Sequence, residues 1–246
     1  MPAVLHVRAV NTATESENRI HDDLVAAEYG FRGGLVPGVT IYGYMASAAI
    51  EHFGPEWLEH GAMDVRFFQP FYEGEEVAVT ISDAADRRIK IEASTRATAS
   101  AWLELSRSGP RPDHSDLTRL PATHDTIGAG VTLGSIEKTL NLSEPGMSAP
   151  LDSHIGPDRL AHPAILLSLA NEILISNYIL GPWIHASSEI RNARSARDGE
   201  HLHVRGNIVD AYERKGHEFV VLDVAILSGD ALVSRIRHTA IWKLRK

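Results

Sequence analysis

A histidine and an asparagine stand close together in a polar stretch near the start of the chain, at His21 and Asn18. Histidine titrates close to neutral pH, so its imidazole can take a proton from water as a general base. Asn18 could orient that base, the water or an amide of a substrate. Glu17 adds a carboxylate beside them. This set predicts acid–base chemistry on a small molecule, with His21 as the base.

The segment that starts at Pro37 and Gly38 is predicted to be a long helix over residues 37–53, since proline is tolerated in a first helical turn. The first N–H groups of a helix have no partner within it and lie at the positive end of its dipole. Because Gly38 allows close approach to the backbone, we predict that its amide stabilises negative charge on a carbonyl oxygen. Many later residues of this helix are small, which favours a place close inside a curved sheet.

One strand, residues 4–10, and a short helix, residues 22–29, are predicted before the long helix, and several strands are predicted after it. Residues 110–130 are rich in Pro, Asp, Ser, Thr and Gly, as linkers are. The same order then returns, with a second long helix over residues 163–180. The predicted strands cover residues 63–68, 76–82, 88–98, 101–106, 131–140, 184–191, 201–210, 217–227 and 231–244.

A shift of 125 residues places similar residues of the two halves in one register, which indicates an internal repeat. A duplicated unit of this kind predicts an α+β double hotdog, in which two sheets, each wrapped around a long helix, pair edge to edge. The predicted units are residues 1–112 and 131–246, with a linker over 113–130. Two unrelated α+β halves are the alternative. The matches are Leu35 with Leu160, Arg66 with Arg191, Gly74 with Gly199 and Glu75 with Glu200.

The loop before the first helix differs between the two halves. With the same shift, His21 falls on Gly146 and Asn18 falls on Ser143, so the second copy has no base at this place. We therefore predict one active site, formed by the first-half loop. His162, at the start of the second helix, is interpreted as a remnant rather than as part of a second site.

Residues 18–44 resemble the MaoC-like dehydratases and (R)-specific enoyl-CoA hydratases. That family's loop runs Asp-x-Asn-Pro-x-His, followed by an acidic residue, an alanine, Gly-Phe and a His-Gly pair that opens the helix. Three positions depart from this pattern: Ser16 replaces the family's catalytic aspartate, Arg19 its proline and Pro37 its helix-opening histidine. The positions that match are Asn18, His21, Asp23, Ala26, Gly30, Phe31 and Gly38.

The resemblance implies the double hotdog fold and a lyase that hydrates a 2-enoyl thioester of coenzyme A or of an acyl-carrier protein, with no cofactor. Glu17, or Glu172 from the second helix, could replace the lost aspartate. Ser16, Pro37, Tyr42 and Glu172 are the predicted substrate-binding residues. The alternatives are a hotdog thioesterase and a degenerate protein that only binds an acyl thioester.

Each of these residues also has a purely structural interpretation. His21 could cap the short helix that follows it, and Asn18 could be a turn residue. Glu172 could be satisfied by a buried partner such as Arg191. Tyr42 could belong to the core or to a pocket wall.

Composition restricts the function further. The net charge of −8 argues against nucleic-acid binding, and the absence of cysteine excludes a thiolate nucleophile. No membrane span is expected, since the most apolar run contains Asn171 and Glu172. A cytoplasmic protein is therefore expected, with a homodimer possible. His201 and His203 share one strand face, but with no third ligand nearby in sequence no metal site is predicted.

Overall fold

The computed structural model describes residues 4–83, 88–104, 110–143 and 154–245. In the first half these residues form β1 (Val4–Arg8), α1 (Asp23–Glu28), α2 (Gly38–Phe53), α3 (Trp57–His60), β2 (Gly61–Phe67), β3 (Glu76–Asp83), β4 (Ile89–Ala93) and β5 (Ala97–Leu103). The rest of the chain forms β6 (Leu120–Pro121), β7 (Thr132–Thr139), β8 (His154–Ile155), β9 (Leu160–Ala161), α4 (Pro163–Asn177), β10 (Tyr178–Ile179), β11 (Ile184–Asn192), β12 (His201–Arg214), β13 (His217–Ser228) and β14 (Ala231–Lys243).

Ten strands form one sheet in the order β1-β3-β4-β5-β2-β11-β14-β13-β12-β7. Strands β2 and β11 pair antiparallel in the middle of this sheet. From this pair outwards, the strands of the two halves follow equivalent orders: β5, β4, β3 and β1 on one side, and β14, β13, β12 and β7 on the other. At this junction Asp64 lies opposite Glu189, which is also its partner under the 125-residue shift. On either side of it, Met63 pairs with Ile190 and Val65 pairs with Ser188. The same shift carries Met63 onto Ser188 and Val65 onto Ile190, so the two flanking pairs are equivalent to each other. The predicted double hotdog fold is confirmed.

The two long helices lie against the sheet and contact each other. In α2 the residues that face the core are mostly small or aromatic, and Tyr42, Met45 and Ala46 are fully buried. Burying aromatic side chains supplies a large apolar area, while the small residues let the helix approach the sheet closely. One continuous core includes residues of both helices and both halves of the sheet.

Several element boundaries differ from the sequence expectation, and two of these differences have a clear physical reason. The strand expected over residues 88–98 is broken by a turn, since Ser94 and Thr95 have φ of 45° and 59°, and β4 and β5 pair around it. The second long helix ends at Asn177 instead of at 180. The Asn177 amide bonds to both backbone groups of Gly134 on β7, which ties down the helix end.

The predicted linker contains β6, which pairs in parallel with β10 just after α4. Among the described residues, no helix is both long enough and apolar enough to span a membrane.

Candidate functional site

The loop that carries His21 is held firmly in place. Residues Arg19–His21 form a single 3₁₀ turn capped by Asn18, whose side-chain oxygen accepts a weak bond (3.4 Å) from the amide of Ile20. Ile20 is buried beneath the turn. Gly34 packs so closely that a Cβ there would lie 2.1 Å from the carbonyl oxygen of His21. This close packing explains why a glycine stands at position 34.

The imidazole of His21 is oriented by its Nδ1 atom, which lies 2.6 Å from the carbonyl oxygen of Leu35. A carbonyl only accepts, so Nδ1 carries the proton and Nε2 carries the lone pair. Burial lowers the pKa of His21, against the opposing effect of the Leu35 bond. The ring is therefore neutral at pH 7. Its Nε2 accepts a long hydrogen bond of 3.3 Å from the Asn18 amide nitrogen and is the atom that can act as a base.

Asn18 joins the loop that carries His21 to the second half of the chain. Its amide nitrogen donates to the carbonyl of Trp183 at 2.9 Å, and its amide oxygen accepts from the Trp183 N–H at 3.1 Å. Asn18 is buried, so these bonds satisfy an amide that would be costly without partners. Asn18 is therefore a cap of its own turn and also a bridge that fixes His21 relative to β11.

Helix α2 begins at Gly38 beside this loop. Pro37 precedes it, and no side chain of the described residues caps this helix end. The first N–H groups of α2 are thus available to an external acceptor at the positive end of the helix dipole. Gly38 also packs against the second half, since a Cβ at this position would lie 2.8 Å from Nδ1 of His185.

His21, Asn18 and Gly38 line the same cavity, which has a volume of about 240 Å³. Its walls come from both halves of the chain and are mainly apolar, as is usual for small-molecule sites. Among the described residues that line it there is no aspartate or glutamate. The polar side chains other than Asn18 and His21 are Gln69, Asn171, His185 and His217, and the large apolar ones include Phe31, Phe67, Phe68, Phe71, Trp183 and Leu244.

The predicted acids lie elsewhere. Glu17 is exposed and pairs with Arg119, while Glu172 pairs with Lys138 at 3.3 Å. Both glutamates line a neighbouring, more open depression, which shares only Asn171 with the His21 cavity. The alternative partner suggested for Glu172, Arg191, instead pairs with Asp64 and Glu104.

Three further predicted residues have structural contacts. Ser16 donates to the carbonyl of Asn18 at 3.2 Å, so it supports the turn where the resembled family has an aspartate. Pro37 lines the cavity at the helix start. Tyr42 is fully buried in the core and does not line the cavity, and burial raises the pKa of its hydroxyl.

The start of the second long helix is closed by its own residues. His162 caps α4 by accepting from the amide of Ala164 at 3.2 Å, and Pro163 has no N–H to offer. The other ring nitrogen of His162 lies 3.0 Å from the hydroxyl of Ser47 on α2. An oxyanion has no available donor in this first turn, unlike at Gly38. The counterpart loop residues 144–150, including Gly146, lie outside the described residues.

Sequence reasoning missed the contribution of the second half to this cavity. Asn18 is held by the backbone N–H and carbonyl of Trp183. Any residue type offers these backbone groups, so the amino-acid sequence does not predict the contact. His185 lies beside Gly38 only because β11 and α2 meet across the molecule. A histidine at the start of a strand has no local feature that would predict this contact.

No family model matches the chain, and no curated protein matches it by sequence. Solved structures do match. A MaoC-like dehydratase is 13% identical, with 97% of each chain covered and a TM-score of 0.59. Rv0216 of Mycobacterium tuberculosis, a conserved hypothetical protein with a double hotdog fold, is 12% identical, with 98% of this chain and 96% of that chain covered and a TM-score of 0.60.

A protein of Lactobacillus plantarum provisionally described as an oleoyl thioesterase is 10% identical, with 100% of this chain and 98% of that chain covered and a TM-score of 0.52. At these identities the likeness concerns the fold. The chain is a double hotdog protein over nearly its whole length, and it shares that fold with structures described as MaoC-like dehydratases and as thioesterases.

Proposed function

We propose that the protein is a hydro-lyase that adds water reversibly to a 2-enoyl thioester and yields a 3-hydroxyacyl thioester. The observation that carries this proposal is the convergence of a neutral imidazole, His21, and an uncapped helix start, Gly38, on one mainly apolar cavity. Coenzyme A or an acyl-carrier protein would carry the acyl group. The reaction needs no cofactor.

The proposed reaction uses the two groups in sequence. Nε2 of His21 accepts a proton from water as the water oxygen bonds to C3 of the enoyl chain. The electrons of the C2–C3 double bond move towards the thioester carbonyl, whose oxygen accepts a bond from the N–H of Gly38. The imidazolium then gives its proton to C2. The two hydrogens of water end on the C3 hydroxyl and on C2, and His21 is neutral again.

We also propose how the chain divides this work. Residues 1–112 carry the base and the helix start, and residues 131–246 supply the opposite wall and the bridge at Trp183. Glu17, Glu172 and Ser16 take no part in the proposed proton transfers, since Asn18 is the only one of the predicted polar partners beside His21 at the cavity. A homodimer of such chains remains a prediction.

A protein that only binds an acyl thioester is the second candidate. The absence of a carboxylate among the described lining residues favours it, because the resembled family uses an aspartate where Ser16 stands. A thioesterase is the third. It would direct water at the carbonyl carbon in the same cavity, and its support is the fold shared with the L. plantarum protein.

Crotonyl-CoA distinguishes these functions in one assay. Loss of the absorbance of the conjugated thioester without release of free thiol indicates hydration, and thiol release indicates a thioesterase. Saturable binding with neither signal indicates a binding protein. The hydro-lyase proposal is overturned if the wild-type protein, at enzyme concentrations approaching those of the substrate, leaves the conjugated absorbance unchanged.

A further inference from the structure

His185 is a buried histidine that touches the start of α2 and lines the cavity. Its ring packs edge-on against Phe67, with ring centroids 4.9 Å apart. Its Nδ1 atom faces Gly38, where a Cβ would lie only 2.8 Å away. Among the described residues, none makes a hydrogen bond to this Nδ1. A buried ring nitrogen without a partner costs free energy, so its placement beside the cavity calls for an explanation.

A β-bulge aims this side chain. The register of β11 against β14 shifts between His185 and Ser187. In a regular strand, residues three apart point to opposite faces. The bulge instead brings His185 and Ser188 together, with Nε2 lying 2.8 Å from the Ser188 hydroxyl. Bulges are common beside functional sites because they redirect one side chain.

Ser188 extends the contact into a buried relay. Its hydroxyl also lies 3.0 Å from Nδ1 of His238. Nε2, the outer nitrogen of His238, has no partner among the described residues. Burial and, to a smaller extent, the neighbouring His238 lower the pKa of His185, against the opposing effect of the Ser187 backbone, and burial lowers the pKa of His238. Each ring is therefore neutral and carries one N–H. The single hydroxyl proton of Ser188 can point to either ring. One direction places an N–H on Nδ1 of His185, and the other places it on the outer nitrogen of His238.

We infer that His185 is a second hydrogen-bond donor to the thioester carbonyl oxygen, beside the amide of Gly38, and that Ser188 and His238 position it by setting its tautomer. This inference rests on the proposed function. A carbonyl oxygen only accepts, so a bound thioester selects the direction that protonates Nδ1. His185 is then a neutral donor in a dry site, which needs no proton from solvent and stabilises the charge that develops on the oxygen.

The test uses 2,4-hexadienoyl-CoA, whose absorbance moves to longer wavelength when its carbonyl is polarised. Wild-type protein is expected to produce this red shift on binding. His185→Leu removes the donor, and His185→Asn keeps an amide donor of smaller size. Ser188→Ala breaks the relay while leaving both rings. Ser187→Ala is the matched control, one position away and outside the relay. Circular dichroism checks that each variant is folded.

We expect His185→Leu and Ser188→Ala to bind the dienoyl thioester with a smaller red shift, His185→Asn to recover part of it, and Ser187→Ala to match the wild type. With crotonyl-CoA, His185→Leu is expected to lower kcat about 100-fold at similar KM, as for the loss of one oxyanion donor.

A full red shift in folded His185→Leu and Ser188→Ala overturns the inference, even if hydration is observed. A wild-type red shift that these variants lose, without hydration, supports it and overturns only the hydro-lyase proposal. Failure of the wild-type protein to bind the dienoyl thioester overturns both.

A separate cluster lies at the far edge of the sheet, where Glu137 on β7 is opposite His203 on β12. The carboxylate lies 3.4 Å from Nε2 of His201 and 3.3 Å from Nδ1 of His203, and the three ligand atoms all lie within 4.8 Å of one another. Zinc–ligand bonds of about 2 Å in tetrahedral geometry put ligand atoms roughly 3.3 Å apart. The strand pairing thus supplies the third ligand that is not nearby in sequence.

A second contact orients one of these ligands. The hydroxyl of Thr139 lies 3.2 Å from Nδ1 of His201, the nitrogen that faces away from Glu137. Metal-binding histidines usually have their other ring nitrogen held in this way. We propose that Glu137, His201 and His203 bind a divalent transition metal, with Zn²⁺ as the reference ion, and that water completes the coordination. Such an ion would link β7 to β12 and stabilise the fold.

Titration calorimetry with ZnCl₂ and thermal unfolding in the same buffer test this site. One Zn²⁺ per chain and a raised melting temperature are expected, and His203→Asn and Glu137→Gln are expected to weaken binding at least tenfold. His6→Asn is the matched control, because His6 pairs with Glu76 across the strands at the opposite edge of the sheet but with one imidazole only. No saturable binding, or equal binding by His203→Asn, overturns the proposal.

Discussion

The side chain of His21 has one nitrogen fixed and one available, which makes its role testable by substitution. In His21→Ala we expect hydration of crotonyl-CoA to fall by a factor of about 10² to 10⁴, the usual contribution of a general base. His21→Gln is expected to be equally inactive, since its amide can keep the bond to Leu35 but cannot take a proton. Initial rates at saturating substrate measure this loss, and binding of crotonyl-CoA should persist. Full activity in either variant would place the base elsewhere.

The backbone of Gly38 has no room for a side chain. Gly38→Ala would place a Cβ 2.8 Å from Nδ1 of His185, so the ring or the helix start must shift. We expect a loss of about 1–3 kcal/mol in the free energy of unfolding, as for other overpacked sites, together with a lower kcat. Urea denaturation and crotonyl-CoA kinetics measure the two effects. Gly128→Ala is the control, because a Cβ there meets no atom within 4 Å. Equal stability of the two variants would contradict the packing described here.

At the scale of an element, the start of α4 depends on His162, which caps the helix and contacts Ser47 on α2. His162→Ala removes both interactions, and the expected loss is about 1–2 kcal/mol in the free energy of unfolding, as for other helix caps. Asn is a strong capping residue, so His162→Asn should recover part of the loss. Urea denaturation gives both values. No difference between His162→Ala and the wild type would mean that the cap contributes nothing to stability.

The long elements could be predicted from the sequence because their signals are local. Proline and small residues indicated α2, and alternating apolar residues indicated most strands, but the turn at Ser94 and Thr95 has no glycine or proline to predict it. The meeting of His21 with Gly38 followed from the loop and the helix start. The position of His185 did not, because it depends on a bulge and on pairing across the sheet, which no local pattern specifies. For the same reason the sequence does not predict that Glu172 pairs with Lys138 instead of with Arg191.

At the scale of the whole molecule, the two halves meet at β2 and β11, where Asp64 lies directly opposite Glu189. Like charges opposite each other in a sheet are unfavourable, and Arg191 offsets this pair by bonding to Asp64 at 2.7 Å. The side chains of Asp64 and Arg191 are partly exposed, so this ion pair adds little stability. The halves are held together mainly by the continuous ladder and by the core that they share.

Buried histidines also give the whole molecule a predictable response to acid. Burial lowers the pKa of His162 to about 4 and that of His238 to about 3, from an ordinary value of 6.5. Between pH 6.5 and 4 the unfolded chain therefore binds protons that the folded chain does not. The free energy of unfolding should fall as the pH is lowered through this range, by up to about 1.4 kcal/mol per pH unit for each histidine.

Urea denaturation at several pH values between 7 and 4.5 measures this slope. His162→Asn removes one of these buried imidazoles, so its stability should fall less steeply with decreasing pH than that of the wild type, even though its stability at pH 7 is no higher. Above pH 7 both proteins should show no further gain from these histidines, because the rings are neutral in the folded and unfolded chains alike. A wild-type stability that stays constant from pH 6.5 to 5 would mean that these imidazoles are open to solvent, which the packing around His238 does not allow.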